Sequence, residues 1–274
     1  MRRAAISRIL VPVDFSQRAE GAVRSAHRLA AHFHAELMLL HVVEPLQMDF
    51  AMVEPFEDSL RQLAEAKRSK KQAELDAFAF YDEAGPTVTR TISVGDPAGE
   101  ILECSRVRRA DLVVMPTQGH GRLHGLLIGS VTAKVLDESE LPILTGTHLE
   151  AEGDAADWHV RRILCAVDLG MRTNEVLEWG LALADEFQAD VTVLHVSSES
   201  GAKNCLALAM ENAGLQAAAM TVNGDPHKVV AETATRLEAD LVIIGRGTAT
   251  GTLGRLRSEA YGIIRRSPCP VLSV

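Results

Sequence analysis

An internal repeat is the feature of this sequence that most constrains its fold. Residues 8–42 align with residues 162–196 at a constant offset of 154. A second block aligns at an offset of 129 and pairs Gly95-Asp96-Pro97 with Gly224-Asp225-Pro226, and a final block continues at an offset of 128. Matches that keep their order and near-constant spacing over three blocks indicate a tandem duplication.

The duplication predicts two domains of ordinary size instead of one large domain. We expect the first domain at residues 1–147 and the second at 161–274, with a linker at 148–160 that is acidic, rich in alanine and without periodicity. The changes of offset locate two deletions in the second copy. One removes about 25 residues after the second strand, and the other removes a single residue from a glycine-rich segment.

Each copy alternates short apolar runs with segments of helical spacing. In the first copy the predicted strands are 9–13, 37–43, 88–94, 112–115 and 143–145, and the predicted helices are 17–33, 57–83, 98–109 and 130–139. Continuous apolar runs favour parallel strands that are buried on both faces. The sequence therefore predicts an α/β chain of two doubly wound domains, each a five-stranded parallel sheet with helices on both faces. In such sheets ligands bind beyond the carboxyl ends of the strands.

The charge balance argues against nucleic acid and anionic membranes as partners. The net charge is -9, and both halves of the chain are acidic. One basic run, residues 61–71, is interleaved with Leu63 and Glu65, which is typical of the solvated face of a helix. No run of 18 apolar residues occurs, so we expect no membrane-spanning helix.

The four cysteines are scattered and lack the spacing of a metal or redox motif. We interpret them as buried, reduced thiols, which favours a cytoplasmic protein. The basic N-terminus is not followed by the apolar segment of a secretory signal.

A glycine-rich loop follows the fourth strand of the first copy. It runs through Gly119 and ends at Gly129-Ser130, where the fourth helix is predicted to begin. Backbone amides of such a loop, together with a helix N-terminus, are suited to bind phosphate. Asp14 follows the first strand and has two interpretations. It is either a hydrogen-bond acceptor for a nucleoside or a structural residue, that is, a helix N-cap or a turn residue.

These segments together resemble the universal stress protein family. Gly119, nine further residues and Gly129-Ser130 are similar to the last part of its Gly-x2-Gly-x9-Gly-Ser/Thr signature, and the segments at 9–16, 40–42 and 95–97 are also similar. The resemblance covers both copies. It implies Rossmann-like or flavodoxin-like domains of the HUP type (adenine nucleotide α-hydrolase-like) that pair through their last strands, and in one branch of the family it implies ATP binding.

The resemblance also implies a set of binding residues. In the first copy Asp14 and the Val42 backbone would meet adenosine, and the loop and the start of the fourth helix would meet ribose and phosphates. The expected ligand is ATP, with or without Mg²⁺. The candidate residues are Pro12, Val13, Asp14, Val42, Met115, Gly119, Gly129, Ser130 and Val131, with a weaker second set of Asp168, Val196, Gly245, Gly247 and Ser258.

Both copies depart from the signature. Pro116 stands where the first glycine is expected, and because proline has no N–H we expect weakened or altered nucleotide binding. In the second copy Arg257 replaces the glycine before Ser258, where its side chain would crowd a phosphate or neutralise one. Gly170 also replaces the serine that follows the aspartate. We interpret the second copy as a degenerate partner of the first.

Other sites in the sequence favour less specific interpretations. The glycine loops contain G-x-G-x-x-x-G but follow a fourth strand, whereas a dinucleotide fingerprint follows a first strand, and no P-loop motif is present. His120 and His124 have no third ligand in view, so we predict no metal site. Residues 44–56 are open to three interpretations, which are a lid, a protein contact or ordinary packing.

The sequence therefore predicts a tandem nucleotide-binding module for stress response or signalling. The two copies are expected to pair as an intramolecular pseudo-dimer across residues 142–145 and 270–274, and a homodimer of the whole chain is left open. We expect at most slow ATP hydrolysis, because no nucleophile–base pair is evident. The alternatives are an interaction scaffold without nucleotide and, with less support, a flavin-binding or nucleotide-hydrolysing relative.

Overall fold

The computed structural model describes residues 6–45, 57–78, 85–118, 128–146, 159–246 and 255–274. Within these ranges the first copy contains nine strands and helices: β1 Arg8–Pro12, α1 Gln17–Phe33, β2 Glu36–Val43, α2 Glu57–Ala77, β3 Val88–Val94, α3 Pro97–Val107, β4 Leu112–Val114, α4 Ser130–Glu138 and β5 Ile143–Thr145. The second copy repeats them: β6 Arg162–Val167, α5 Thr173–Phe187, β7 Asp190–Val196, α6 Ala202–Asn212, β8 Ala218–Val222, α7 Pro226–Arg236, β9 Leu241–Ile244, α8 Arg255–Arg266 and β10 Val271–Ser273.

Three helices begin at a residue whose side chain caps the first turn. The Ser16 side chain accepts a hydrogen bond from Ala19 N at the start of α1. Asp96 and Asp225 cap α3 and α7 in the same way, each followed by proline in the first turn. These side chains satisfy amides that have no partner within the helix, and proline there has no amide to satisfy.

The strand order within the first copy is β3-β2-β1-β4-β5, and in the second it is β8-β7-β6-β9-β10. All pairings within a copy are parallel. Of the two arrangements that the sequence left open, this is the Rossmann order and not the flavodoxin order. Alternate strand residues enter opposite core layers, Ile9 and Val11 on one face and Leu10 on the other.

The two copies join into one ten-stranded sheet. Strands β5 and β10 pair antiparallel, with Leu144 opposite Leu272. This is the pairing of last strands that the sequence predicted. At the helical layer, the repeat-equivalent residues Phe33 and Phe187 meet edge to face, with ring centroids 5.8 Å apart. Repeat-equivalent residues that contact one another are expected for a pseudo-two-fold axis between the copies.

Several sequence expectations need comment against this fold. Cys165 and Cys269 are buried and Cys104 is partly so, but Cys205 is exposed on α6, which contradicts the expectation that all four thiols are buried. The predicted linker lies almost wholly outside the described residues, so the domain boundaries remain a prediction. Within the described ranges, no helix is both long and apolar enough to cross a membrane.

Candidate functional site

A cleft of about 710 Å³ opens in the first copy at the carboxyl ends of β1, β2 and β4. It lies where the strand order reverses, since β1 pairs with β2 on one side and with β4 on the other. Ligands of open α/β sheets bind at such a switch point. The cleft is lined by the candidate residues Pro12, Val13, Asp14, Val42, Met115, Gly129, Ser130 and Val131. Gly119 lies outside the described residues.

Asp14 organises the turn between β1 and α1 as well as lining the cleft. Its Oδ1 accepts hydrogen bonds from Ser16 N at 3.0 Å and from Ser16 Oγ at 2.6 Å. Ser16 in turn caps α1. The turn interpretation of Asp14 therefore holds for this oxygen, while its position in the cleft keeps the carboxylate next to any ligand.

His41 at the end of β2 supports the same corner of the cleft. Its Nδ1 lies 2.7 Å from Val13 O, and because a carbonyl oxygen only accepts, Nδ1 carries the hydrogen. The Phe15 ring packs on the imidazole at a centroid distance of 4.3 Å. Burial lowers the pKa of His41, and the Lys71 ammonium lowers it further, while the bond to Val13 acts in the opposite direction. The neutral ring thus supports the end of β2 next to the cleft.

Two lysines of α2 line the cleft, and the sequence interpretation missed them. Lys67 and Lys71 are partly buried, whereas Arg68 and Lys70 of the same basic run are exposed. Lys67 Nζ lies 3.3 Å from Glu44 O. Lys71 Nζ bonds Glu74 Oε2 at 2.5 Å and lies 4.7 Å from the centre of the Phe15 ring. Lysines spaced four apart share one helix face, which is the signal that could have separated them from the solvated residues.

The N-terminus of α4 forms the opposite wall of the cleft. Gly129 is its N-cap residue and makes no side-chain cap bond, and Ser130 is the first helical residue. Amides of a first helical turn have no partner within the helix, and the helix dipole makes this end attractive to anions. Pro116 also lines the cleft. It offers a ligand no amide, and its carbonyl accepts from Thr132 Oγ1 at 3.1 Å, so it fixes the loop to α4.

An ion pair ties α4 to the neighbouring helix. Lys134 Nζ lies 2.9 Å from Asp96 Oδ2, and Asp96 also caps α3. The hydrogen bond from Lys134 holds the pKa of the Asp96 carboxyl below its usual value. The start of α4 is thereby held beside Pro97 and Ile101 of α3, which line the cleft.

The equivalent corner of the second copy has different chemistry. Asp168 is exposed, and its Oδ1 accepts from Gly170 N at 2.8 Å. Gly245 is the repeat equivalent of Pro116. A Cβ on Gly245 would lie 2.8 Å from Arg172 Cβ, so Arg172 packs directly against this glycine. The only basic residue of α6 is Lys203, which is exposed. Val196 lies at the end of β7, while Gly247 and the Ser258 side chain fall outside the described part.

The described residues offer no obvious metal centre. No group of three His, Cys, Asp or Glu side chains is arranged to hold a metal ion in the ranges that the structure describes. His120 and His124 lie outside those ranges, as do residues 46–56 of the segment for which three interpretations were open.

The model of the universal stress protein family matches this chain over residues 5–145, 159–204 and 201–274. A universal stress protein of Methanocaldococcus jannaschii is 30% identical over 143 residues, which are 50% of this chain and 79% of the relative. One of Thermus aquaticus is 32% identical over 136 residues, 50% of this chain and 95% of the relative. Such relatives thus match half of this chain over most of their own length.

The solved structures give the same answer for the fold. The crystal structure of a universal stress protein from Archaeoglobus fulgidus superposes with a TM-score of 0.69 at 22% sequence identity, and the match covers 97% of both chains. A match over 97% of this chain includes both copies.

Proposed function

The chain belongs to the universal stress protein family, and we propose that its first copy binds an adenine nucleotide, ATP in the first instance, as a stress-response or signalling module. One observation carries this proposal. The candidate residues of the first copy that the structure describes are scattered over more than 100 residues of sequence, and they line one cleft at the switch point of the sheet.

The cleft has two chemically different ends. Residues of β1 and β2 contribute apolar surface and backbone polar groups beside Asp14, which suits a base and a ribose. The uncapped N-terminus of α4 lies at the other end and suits phosphate. The volume falls within the usual range of about 300–1,000 Å³ for small-molecule sites.

Local charge supports an anionic ligand despite the acidic chain. The net charge of -9 repels ATP on average. Lys67 and Lys71 place two ammonium groups at the cleft, and Lys67 has a carbonyl oxygen as its hydrogen-bond partner, which leaves its charge uncompensated by that contact. Cationic side chains in a cleft focus the field and raise the local concentration of an anion. Lys67 in particular supplies attraction that Pro116 cannot, because the Lys71 charge is paired with Glu74.

We expect this module to bind ATP without hydrolysing it efficiently. The Thr132 hydroxyl is committed to Pro116 O, and His41 Nδ1 is committed to Val13 O. Efficient hydrolysis needs groups positioned on the water and on the phosphate that leaves. Because the described residues hold no acidic metal cluster, any Mg²⁺ is expected to arrive on the phosphates.

Isothermal titration with ATP at millimolar nucleotide and Mg²⁺ tests the proposal directly. Gly129→Leu should abolish binding, because its side chain enters the phosphate end of the cleft. The matched change Arg257→Leu, at the equivalent position of the second copy, should leave binding close to the wild type. Absence of binding by the wild-type protein would overturn the proposal, and loss of binding in Arg257→Leu alone would move the site to the second copy.

A second candidate is an interaction scaffold that binds no nucleotide. The observation that favours it is Pro116, which lines the cleft where the family signature has a glycine. The same titration separates the two functions.

A further inference from the structure

A buried arginine of the second copy reaches into the first copy. Arg246 follows β9 and is 8% exposed. Its guanidinium donates from Nη1 to Leu136 O at 3.2 Å and from Nη2 to Leu141 O at 2.5 Å. Leu136 belongs to the last turn of α4, whose carbonyls have no partner within the helix and whose negative dipole end favours a cation. Arg246 therefore acts as a C-terminal cap for a helix of the other copy.

The charge of Arg246 is retained at a cost. Burial and, to a smaller extent, the nearby Arg172 guanidinium together lower its pKa to about 10, so the side chain still carries its charge near neutral pH. Its Nε is buried without a hydrogen-bond partner. Burying a charge is expensive unless its partners are well placed. The two carbonyl oxygens at the end of α4 are the hydrogen-bond partners that offset this cost.

A second contact from the same copy holds the middle of α4. The Tyr261 hydroxyl of α8 lies 2.7 Å from Asp137 Oδ1 and 2.9 Å from Ala133 O, and its single proton can be donated to either acceptor. Arg246 and Tyr261 thus form hydrogen bonds with the C-terminal half of α4, from Ala133 onward, and with Leu141 just after the helix.

These contacts run in one direction only. The repeat places Thr117 where the second copy has Arg246, and Ala133 where it has Tyr261. Alanine has no hydroxyl, and threonine is too short to make the bonds of an arginine. The first copy therefore cannot return either contact to α8, although the strand pairing around the pseudo-two-fold axis is reciprocal.

We infer that the second copy positions α4 through Arg246 and Tyr261, and so sets the affinity of the first-copy cleft for the anionic part of its ligand. The inference rests on the proposed function, because it is the N-terminus of this same helix that faces the cleft. A helix held at its C-terminal half transmits a tilt or shift to its first turn, and the amides there must meet the phosphate oxygens within hydrogen-bonding distance. The second copy is then a positioning device for the first instead of a second site.

The test compares ATP with adenosine in Arg246→Met and Tyr261→Phe. Both variants should bind ATP more weakly, by roughly 5-fold or more, the lower end of typical coupling between sites. Adenosine affinity should change much less, because adenosine lacks the phosphates that the first-turn amides of α4 would bind. Arg162→Met is the matched control, since this exposed arginine pairs with Glu238 within the second copy. It should leave the ratio of the two affinities as in the wild type.

Hydrogen exchange of the α4 amides gives a readout that needs no nucleotide. Exchange over residues 130–138 should be faster in Arg246→Met and Tyr261→Phe and unchanged in Arg162→Met. An equal loss of ATP and adenosine affinity, or unchanged exchange in α4, would overturn the inference, because a purely structural role lowers stability without moving this ratio. If the wild type binds no nucleotide, the proposed function fails, and the exchange measurement still decides whether the second copy positions α4.

Discussion

The two copies share the turn after their first strand and then diverge. Asp14 and Asp168 occupy the same place, and the residues that follow them, Phe15 and Leu169, both adopt a left-handed backbone with φ of 63° and 60°. Side chains other than glycine, asparagine and aspartate are uncommon in this region. Both copies therefore keep a strained turn that brings the aspartate to the end of the sheet.

The difference begins two residues after the aspartate. In the first copy Ser16 bonds Asp14 and caps α1. In the second copy Gly170 has no side chain to do either, and α5 begins later, at Thr173, after an N-cap residue, Arg172, that makes no side-chain cap bond. The strands and helices of the second copy thus form without this cap. The cleft described above and its two lysines lie in the first copy.

The packing of helix on strand offers the strongest way to test how far the copies differ. A Cβ on Gly180 of α5 would overlap Cys165 Sγ of β6, and that thiol is fully buried. The first copy has Ala26 and Val11 at these positions. We expect Gly180→Val to lower the free energy of unfolding by about 2–3 kcal/mol through overpacking. Urea unfolding followed by circular dichroism measures the change.

Two further variants complete this test. The double variant Gly180→Val with Cys165→Ala should recover at least part of the lost stability, because the overlapping sulfur is gone. Ala26→Gly should cost about 1–2 kcal/mol, because it lowers helix propensity and removes one methyl group from the core. If Gly180→Val is as stable as the wild type, the contact between α5 and β6 has room for a larger side chain. The two copies then do not differ in packing at this position.

Local patterns predicted the elements well, and long-range contacts escaped them. The predicted helix 17–33 and strand 88–94 match α1 and β3 to the residue, because caps and apolar runs act within a few residues. The strand order could not be predicted from these local patterns, because the Rossmann and flavodoxin orders both connect parallel strands by the same kind of crossover. Arg246 bonds carbonyls 105 and 110 residues away, a contact that no periodicity encodes.

The lysines of the cleft show the same limit within one helix. The basic run was recognised, but which of its members face the sheet depends on how α2 packs, and that is set by contacts such as the fully buried Leu75. Asp14, Val42 and Gly129 line the cleft, and the sequence pointed to them because they lie near the end of a strand or directly before a helix. The lining of the cleft was therefore predictable at the ends of elements and not along a helix face.

Removing the cap of α1 should have the next largest effect. Ser16→Ala deletes the acceptor for Ala19 N and the hydroxyl that bonds Asp14, and we expect a loss of about 1 kcal/mol in the free energy of unfolding. Arg172→Ala at the start of α5 should cost less than about 0.5 kcal/mol, because it removes a partly exposed ion pair with Glu175 and keeps the Cβ that packs on Gly245. A loss in Ser16→Ala as small as that in Arg172→Ala would show that the side-chain cap of α1 contributes little to stability.

A smaller effect is expected from His41, which should make the free energy of unfolding depend on pH. Because burial lowers its pKa in the folded protein, the unfolded chain binds a proton more readily. The stability from this residue is present above the ordinary value of 6.5 and is lost as the pH falls through the folded pKa. We expect His41→Gln to reduce the slope of unfolding free energy against pH below 6.5. An unchanged slope would mean that the cleft corner is open to solvent, contrary to the packing of Phe15 on this ring.

The smallest expected effect comes from restoring the serine in the second copy. Gly170→Ser recreates the Asp-x-Ser sequence, and a Cβ there would lie 3.0 Å from Asp168 Oδ1, a tight contact with the end of an exposed side chain that can move. The N-cap of α5 is Arg172, two residues later than Ser16 in the first copy, so the new hydroxyl can cap the helix only if α5 gains two residues at its start. We therefore expect a gain of at most about 0.5 kcal/mol, below the loss in Ser16→Ala. A gain as large as the loss in Ser16→Ala would show that α5 begins later only because the serine is missing. No gain would show that the packing of Arg172 on Gly245 determines where α5 begins.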